Sequence, residues 1–226
     1  MRFNAILIDI DDTLFNFRKS SFEALAESFR RIGRTFTWDD MPGYEVYNNK
    51  MWHMFELGEI EKDDIYEERF RQYFAEKGIA ADTAAFNACY VEQLSLGINF
   101  MPHAAELLKA LHGKYKVFVV TNGDTYAQER RIRRSGLAEY FDGVFISEQL
   151  GHKKPDKDFF DAVFAIIGEE YRKTSLMVGD SLSSDMQGGR NAGIPTCLYG
   201  KKEKADDRCD YVIEDLLDLI PILEGT

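Results

Sequence analysis

Two apolar runs in this chain lead directly into an aspartate. Ala5-Ile6-Leu7-Ile8 precedes Asp9 closely, and Leu176-Met177-Val178-Gly179 runs into Asp180. Runs this short, rich in branched residues and bounded by turn signals, read as strands covered on both faces. The same pattern predicts strands over Ala5–Ile10, Val117–Thr121, Gly143–Ser147, Ser175–Gly179, Thr196–Tyr199 and Tyr211–Ile213. Amphipathic helical stretches lie between them. One starts with Pro102 as its first helical residue and carries Ala104, Leu107, Leu108 and Leu111 on one face. Others span Thr125–Ser135, Asp156–Ile167, Ser184–Ala192 and Asp215–Leu223. Strand–helix alternation of this kind builds βαβ units and hence a parallel sheet of the α/β class.

Residues 18–99 interrupt the alternation. Helical periodicity recurs there without a strand run: Phe22, Leu25, Ala26 and Phe29, then Tyr66, Phe70, Tyr73 and Phe74, then Phe86, Cys89, Tyr90 and Leu94. The segment reads as a helical domain inserted between the first and second strands, leaving 1–17 and 100–226 as the sheet core. Its many aromatics, Trp38, Tyr44, Tyr47, Trp52 and Phe55 included, are accounted for mostly as the core of a small helical unit.

Charge narrows the class of partner. The 226 residues carry 28 basic and 39 acidic side chains, a net −11, with no basic run to offset it. Such a field repels nucleic acid polymers and anionic membranes. A small anionic substrate is admitted only if a bound cation and a placed lysine reverse the sign locally. Cys89, Cys197 and Cys209 lack CxxC spacing, and the four histidines form no ligand pair, so neither a zinc site nor a disulfide framework is expected. The apolar start is too short for a signal core or a membrane span, and a cytoplasmic location is expected.

Four short constellations carry chemistry. In Asp9-Ile10-Asp11-Asp12-Thr13 the first two acids share a direction if the extended geometry continues, and such a pair calls for a proton or a hard cation. The tripeptide alone serves equally well as an Asx-turn. Asp180-Ser-Leu-Ser-Ser-Asp185 repeats the theme, with Asp185 also explicable as a charge in a first helical turn. Thr121-Asn122-Gly123 offers a hydroxyl and exposed amides at another strand end, where they can cradle phosphate oxygens; by itself it is a simple Asn-Gly turn. His152-Lys153-Lys154-Pro155 is by itself a solvated loop stiffened by proline.

Taken in order, the set resembles the four motifs of the haloacid dehalogenase superfamily: Asp-x-Asp-x-Thr, then Thr or Ser, then Lys-Pro, then Gly-Asp with a second acid a few residues on. The resemblance covers essentially the whole chain and implies a Rossmann-like catalytic core with an inserted helical cap. It implies Asp9 as nucleophile and Asp11 as general acid/base. Thr121 becomes the phosphate-binding hydroxyl and Lys154 the lysine of the third motif. Mg2+ is implied as cofactor, held by Asp9, Asp180 and the backbone carbonyl of Asp11, with Asp185 behind them. Asp12 stands where many members have glycine, and its backbone amide is expected to remain available for phosphate. Asn122 and Gly123 are expected to join it there. Asp11 distinguishes two reactions of the superfamily, since a halide leaves without a proton and an alkoxide does not. The chain is therefore expected to be a phosphatase.

The insertion is similar to the cap of the pyrimidine 5′-nucleotidase branch through Arg34-Thr-Phe-Thr-Trp38, Tyr44, Asn48, Met51-Trp52, Phe55 and Gly58-Glu-Ile60. That likeness implies a small phosphorylated metabolite, a nucleoside monophosphate, as substrate. Trp52 or Phe17 could stack on its base, although Trp52 fits equally well inside the cap. A phosphoglycolate or sugar-phosphate phosphatase, or a phosphomutase, is the alternative among enzymes. Loss of any one of Asp9, Asp11, Lys154 or Asp180 would support a catalytically silent binding module that keeps the fold, and all four are present.

Overall fold

The computed structural model describes residues 3–225. Its chain order is β1 (Ala5–Ile8), α1 (Phe17–Arg31), α2 (Met41–Glu56), α3 (Lys62–Lys77), α4 (Thr83–Leu94), α5 (Ala104–Leu111), β2 (Lys116–Thr121), α6 (Thr125–Ser135), β3 (Gly143–Ile146), α7 (Ser147–Leu150), α8 (Lys157–Ile167), β4 (Ser175–Gly179), α9 (Gln187–Ala192), β5 (Thr196–Tyr199), β6 (Tyr211–Ile213) and α10 (Leu219–Glu224). Contacts divide the chain into two compact units, Met1–Phe17 with Ile98–Thr226, and Arg18–Gly97.

The first unit holds one six-stranded sheet, entirely parallel, in the order β3-β2-β1-β4-β5-β6. Side chains alternate across it as the period of a strand requires. Ile6 and Ile8 join Val117, Val119, Leu176 and Val178 against Leu107, Leu108 and Leu111 of α5 and Leu219 and Leu223 of α10. Ala5 and Leu7 face the other way, with Phe118, Val120 and Met177, onto Phe159, Phe160, Val163 and Phe164 of α8. Every residue of β1 is fully buried, so the central strand is fixed from both faces and both edges.

Several boundaries differ from the sequence reading for local reasons. β1 ends at Ile8, and after Ile10 the chain turns so tightly that the amides of Leu14 and Phe15 both donate to the Ile10 carbonyl, at 2.8 Å each. Ser147 opens α7 instead of closing β3. Pro102 lies in a turn, and α5 begins only after His103, whose left-handed φ of 62° breaks the helix there. Ser184–Ala192 is not one helix: Leu182–Met186 forms a π turn and α9 follows it. Asp215 caps a short 3₁₀ turn at Leu216–Asp218, with α10 beyond.

Within Arg18–Gly97 the described residues form α1–α4 and no strand. Its core is aromatic. Phe70 lies 4.9 Å from Phe86 and 5.4 Å from Tyr90, and Phe29 lies 4.8 Å from Phe86. The buried Arg69 guanidinium sits 4.8 Å from both the Phe70 and Tyr90 rings and donates to Asn48 and Asn87 at 3.2 and 2.8 Å. Most of the aromatics therefore hold this unit together. Trp52 of α2 is half-buried, edge-on to Phe55 at 5.8 Å.

Candidate active site

Parallel neighbours deliver their carboxyl ends to one edge of a sheet, and in open α/β sheets that edge is where ligands bind. Asp9 follows β1, Thr121 ends β2 and Asp180 follows β4, so three adjacent strands aim polar groups at the same edge. The Asp9 amide still pairs with the Val178 carbonyl at 2.9 Å, which locks its position against β4.

Lys154 ties these groups together. Its ammonium donates to Asp9 Oδ1 at 2.6 Å, to Asp185 Oδ1 at 2.6 Å and to the Val120 carbonyl at 2.9 Å. Three protons meet three acceptors on a side chain that is 2% exposed. Asn122 places it: the Asn122 Nδ2 donates to the Lys154 carbonyl at 2.8 Å, and the Lys154 amide donates to Asn122 Oδ1 at 2.9 Å. A cis peptide joins Lys154 to Pro155. The expected substrate-binding carboxamide of Asn122 thus engages the backbone of Lys154 with both its nitrogen and its oxygen.

Asp185 is held in turn by the π turn. Its Oδ2 accepts from the Ser181 amide at 3.1 Å, and the Ser181 hydroxyl accepts from the Ser184 amide at 3.1 Å. Gly179 makes this possible, because a Cβ there would lie 2.2 Å from Asp185 Oδ2.

Asp9, Asp180 and Asp185 each offer an oxygen within 4.8 Å of the others. Burial pushes the Asp9 carboxyl up to about 8, against the pull of Lys154 and with further upward pressure from Asp185 and Asp11. Asp180 is pushed the same way by desolvation and by the charges of Asp185 and Asp9, although its outer edge is open to solvent, which moderates the effect. Burial by itself would lower the Lys154 ammonium, but Asp185 and Asp9 outweigh it and hold the group above its ordinary value. One ammonium thus faces three acids, and the excess negative charge in an all-oxygen cluster fits a hard divalent cation.

Asp11 takes a different direction. Its carboxylate does not join the three-acid cluster but accepts from Gln128 Nε2 at 2.6 Å and Arg131 Nη1 at 2.5 Å. Asp12 has a left-handed φ of 57°, a conformation that aspartate tolerates and glycine adopts freely. Its amide donates to the Phe15 carbonyl at 2.7 Å, which corrects the expectation that this amide serves phosphate. The Thr121 hydroxyl accepts from the Gly123 amide at 3.0 Å and from Gln128 at 3.2 Å, leaving its own hydrogen to donate.

Gln128 and Arg131 were not among the residues singled out by motif. A signal for them exists: Ala127 and Ile132 fix the buried face of α6, and Gln128 and Arg131 fall on that same face. A glutamine and an arginine where an amphipathic helix wants apolar groups ask for a polar partner.

Comparison with known proteins gives a family. The haloacid dehalogenase-like hydrolase profile matches residues 3–193. The pyrimidine 5′-nucleotidase YjjG of Escherichia coli is 35% identical over 87% of this chain and 86% of its own length. The pyrimidine 5′-nucleotidase PynA of Streptococcus pneumoniae is 34% identical over 97% and 96%. Among solved structures, that of YfnB from Bacillus subtilis, bound to magnesium, superposes with a TM-score of 0.93 at 32% identity, covering 99% of this chain and all of that one. A profile spanning most of the chain, relatives this similar along nearly their full lengths, and a shared parallel-sheet core lead to one conclusion: the chain belongs to the haloacid dehalogenase-like hydrolases.

Proposed function

We propose that this hydrolase, a phosphoric monoester hydrolase, cleaves 5′-nucleoside monophosphates, pyrimidine nucleotides foremost, through a covalent aspartyl-phosphate on Asp9. The observation that carries the reading is the buried Lys154 ammonium, 2.6 Å from both Asp9 and Asp185, beside an acid cluster short of positive charge. The same cluster supports Mg2+ as cofactor, with Asp9 and Asp180 as ligands and the Asp11 carbonyl beside them. A bound Mg2+ supplies Lewis-acid stabilisation to the phosphoryl oxygens.

Asp9 attacks phosphorus and forms the acyl phosphate while the ester oxygen departs. Lys154 orients the nucleophile and offsets charge as it develops on the phosphoryl group. Thr121 donates its hydroxyl hydrogen to a phosphoryl oxygen. Asp11 protonates the leaving oxygen, then removes a proton from the water that hydrolyses the acyl phosphate. Asn122 acts by holding Lys154. Asp185 acts by holding the lysine together with Asp9.

The nucleotide assignment is supported by the two pyrimidine 5′-nucleotidases that match along nearly the whole chain. Trp52 is proposed as a base-stacking residue. The free cysteines suit a reducing cytoplasmic compartment, and among the described residues no helix is long and apolar enough to cross a membrane. A phosphate-release screen over nucleoside monophosphates, sugar phosphates and phosphoglycolate tests the reading, with Asp9→Asn as control. Preference for pyrimidine nucleotides and an inactive Asp9→Asn enzyme are expected. Preference for sugar phosphates would remove the nucleotide assignment, and turnover by Asp9→Asn would remove the mechanism.

A further inference from the structure

Arg131 is the buried cation that the proposed phosphoryl chemistry leaves without a task. It is 1% exposed, lies on α6, and spans the gap to Asp11, whose Oδ1 accepts from its Nη1 at 2.5 Å. The Phe15 ring covers its guanidinium at 4.9 Å. Its Nε and Nη2 have no hydrogen-bond partner in the structure. As a device for stability alone this is a poor one, because a buried ion pair with unmet donors gains little over apolar packing.

Gln128, one turn earlier and also 1% exposed, reaches the same acid from the other side. Its Nε2 donates to Asp11 Oδ2 at 2.6 Å and approaches Thr121 Oγ1 at 3.2 Å, while its Oε1 accepts from Arg131 Nη1 at 3.3 Å. The glutamine side chain fills the space a Cβ at residue 123 would need, coming within 2.1 Å of that position. Gly123 has no left-handed backbone, so its lack of a side chain is explained by the room Gln128 takes.

We propose that Arg131 and Gln128 are a two-point clamp that positions the Asp11 carboxylate for proton transfer and ties it to the Thr121 hydroxyl. One donor on each oxygen fixes both the location and the plane of the group. The helix supplies rigidity, since residues three apart share one face. The inference rests on Asp11 being the general acid/base. Neither residue touches the phosphoryl group in this scheme; both are positioning residues.

The test compares kcat/KM for phenyl phosphate and p-nitrophenyl phosphate with saturating Mg2+, in the wild type, Arg131→Met, Arg131→Lys, Gln128→Leu, Asp11→Asn and the Asp11→Asn/Arg131→Met double variant. Misplacing a proton donor costs on the order of 10–100-fold where protonation of the leaving oxygen matters. Arg131→Met should therefore lose about that much with phenyl phosphate and less than about threefold with p-nitrophenyl phosphate. Arg131→Lys should recover part of the loss. The double variant should fall no further than Asp11→Asn alone, because the clamp acts only through that carboxylate. Should Arg131→Met not fold, Arg131→Lys carries the same expectation in smaller measure; Gln128→Leu, which also releases Thr121, should add a loss common to both esters. Equal losses for both esters, an additive loss in the double variant, or a gain in activity would overturn the clamp while Asp11→Asn keeps its leaving-group dependence. Loss of that dependence in Asp11→Asn itself would instead overturn the acid/base role, and the clamp with it.

Discussion

Lowering the pH from about 8 to about 6 should weaken Mg2+ binding by at least about 50-fold, because the cation must displace a proton from Asp9, and Asp180 adds to the effect. The magnitude follows from the carboxyl's value of about 8 in the buried cluster. At a pH equal to that value half the molecules already carry a carboxylate; two units lower only about one in a hundred does, and the ratio is about 50. In free energy this is a little over 2 kcal/mol, or about 5–9 °C in the Mg2+-induced rise of Tm for a chain of this size. Without metal the sign is opposite. Asp9 is raised from 3.8, so between that value and about 8 the native state holds a proton that the unfolded chain has released. Stability without cation should accordingly fall as pH rises through this window, and Mg2+ should restore it most at the alkaline end. Lys154 stays charged throughout, since its neighbours hold it above its ordinary value. Mg2+ titrations followed by calorimetry and by thermal melts at the two pH values measure both quantities. Asp9→Asn should bind Mg2+ weakly and keep only the part of the pH dependence that Asp180 contributes. Equal Mg2+ affinity at both pH values in the wild type would refute the argument.

Other substitutions probe the same cluster. Lys154→Met leaves the buried Asp185 carboxylate without its ammonium beside Asp9, and should cost about 3–5 kcal/mol in urea denaturation at neutral pH. Adding Asp185→Asn to that variant should return part of the loss; no recovery would argue against charge as the cause. Asn122→Ala removes both bonds that seat the Lys154 backbone, and should lower kcat about 10²-fold with little change in KM, as read by steady-state kinetics. A matching rise in KM would point instead to direct substrate contact. Trp52→Ala should raise KM for nucleotides and leave phenyl phosphate unaffected, because only the former offers a base to stack. Equal effects on both would return Trp52 to a packing role beside Phe55.

The parallel sheet was legible because strands buried on both faces cannot hide their composition. Val117–Thr121 and Ser175–Gly179 are apolar on both sides for the same reason that β1 is. Lys154 was legible only through its place in an ordered set of motifs, since a Lys-Lys-Pro segment read alone is a solvated loop. What escaped was direction. Asp9 and Asp11 would project together from an extended strand, but β1 ends at Ile8, and one carboxylate meets Lys154 while the other meets α6, more than a hundred residues away. Asp12 escaped for a related reason: its left-handed backbone turns the amide to Phe15. Pro102 is a sound helix-start signal that failed because His103 interposes a left-handed residue before α5.

Gly179 shows how far the demands of such a site reach beyond reactive atoms. It has no functional group, and its backbone lies where any residue could follow, yet the Asp185 carboxylate fills the volume its Cβ would need. In a scan of every substitution at every position, residue 179 should therefore tolerate change as poorly as Asp185 does, because even alanine must evict the carboxylate that steadies Lys154. Such a scan would give a high score to a position that touches neither substrate nor metal. Intolerance there marks occupied space, and reading it as chemistry would place the active centre one residue too early.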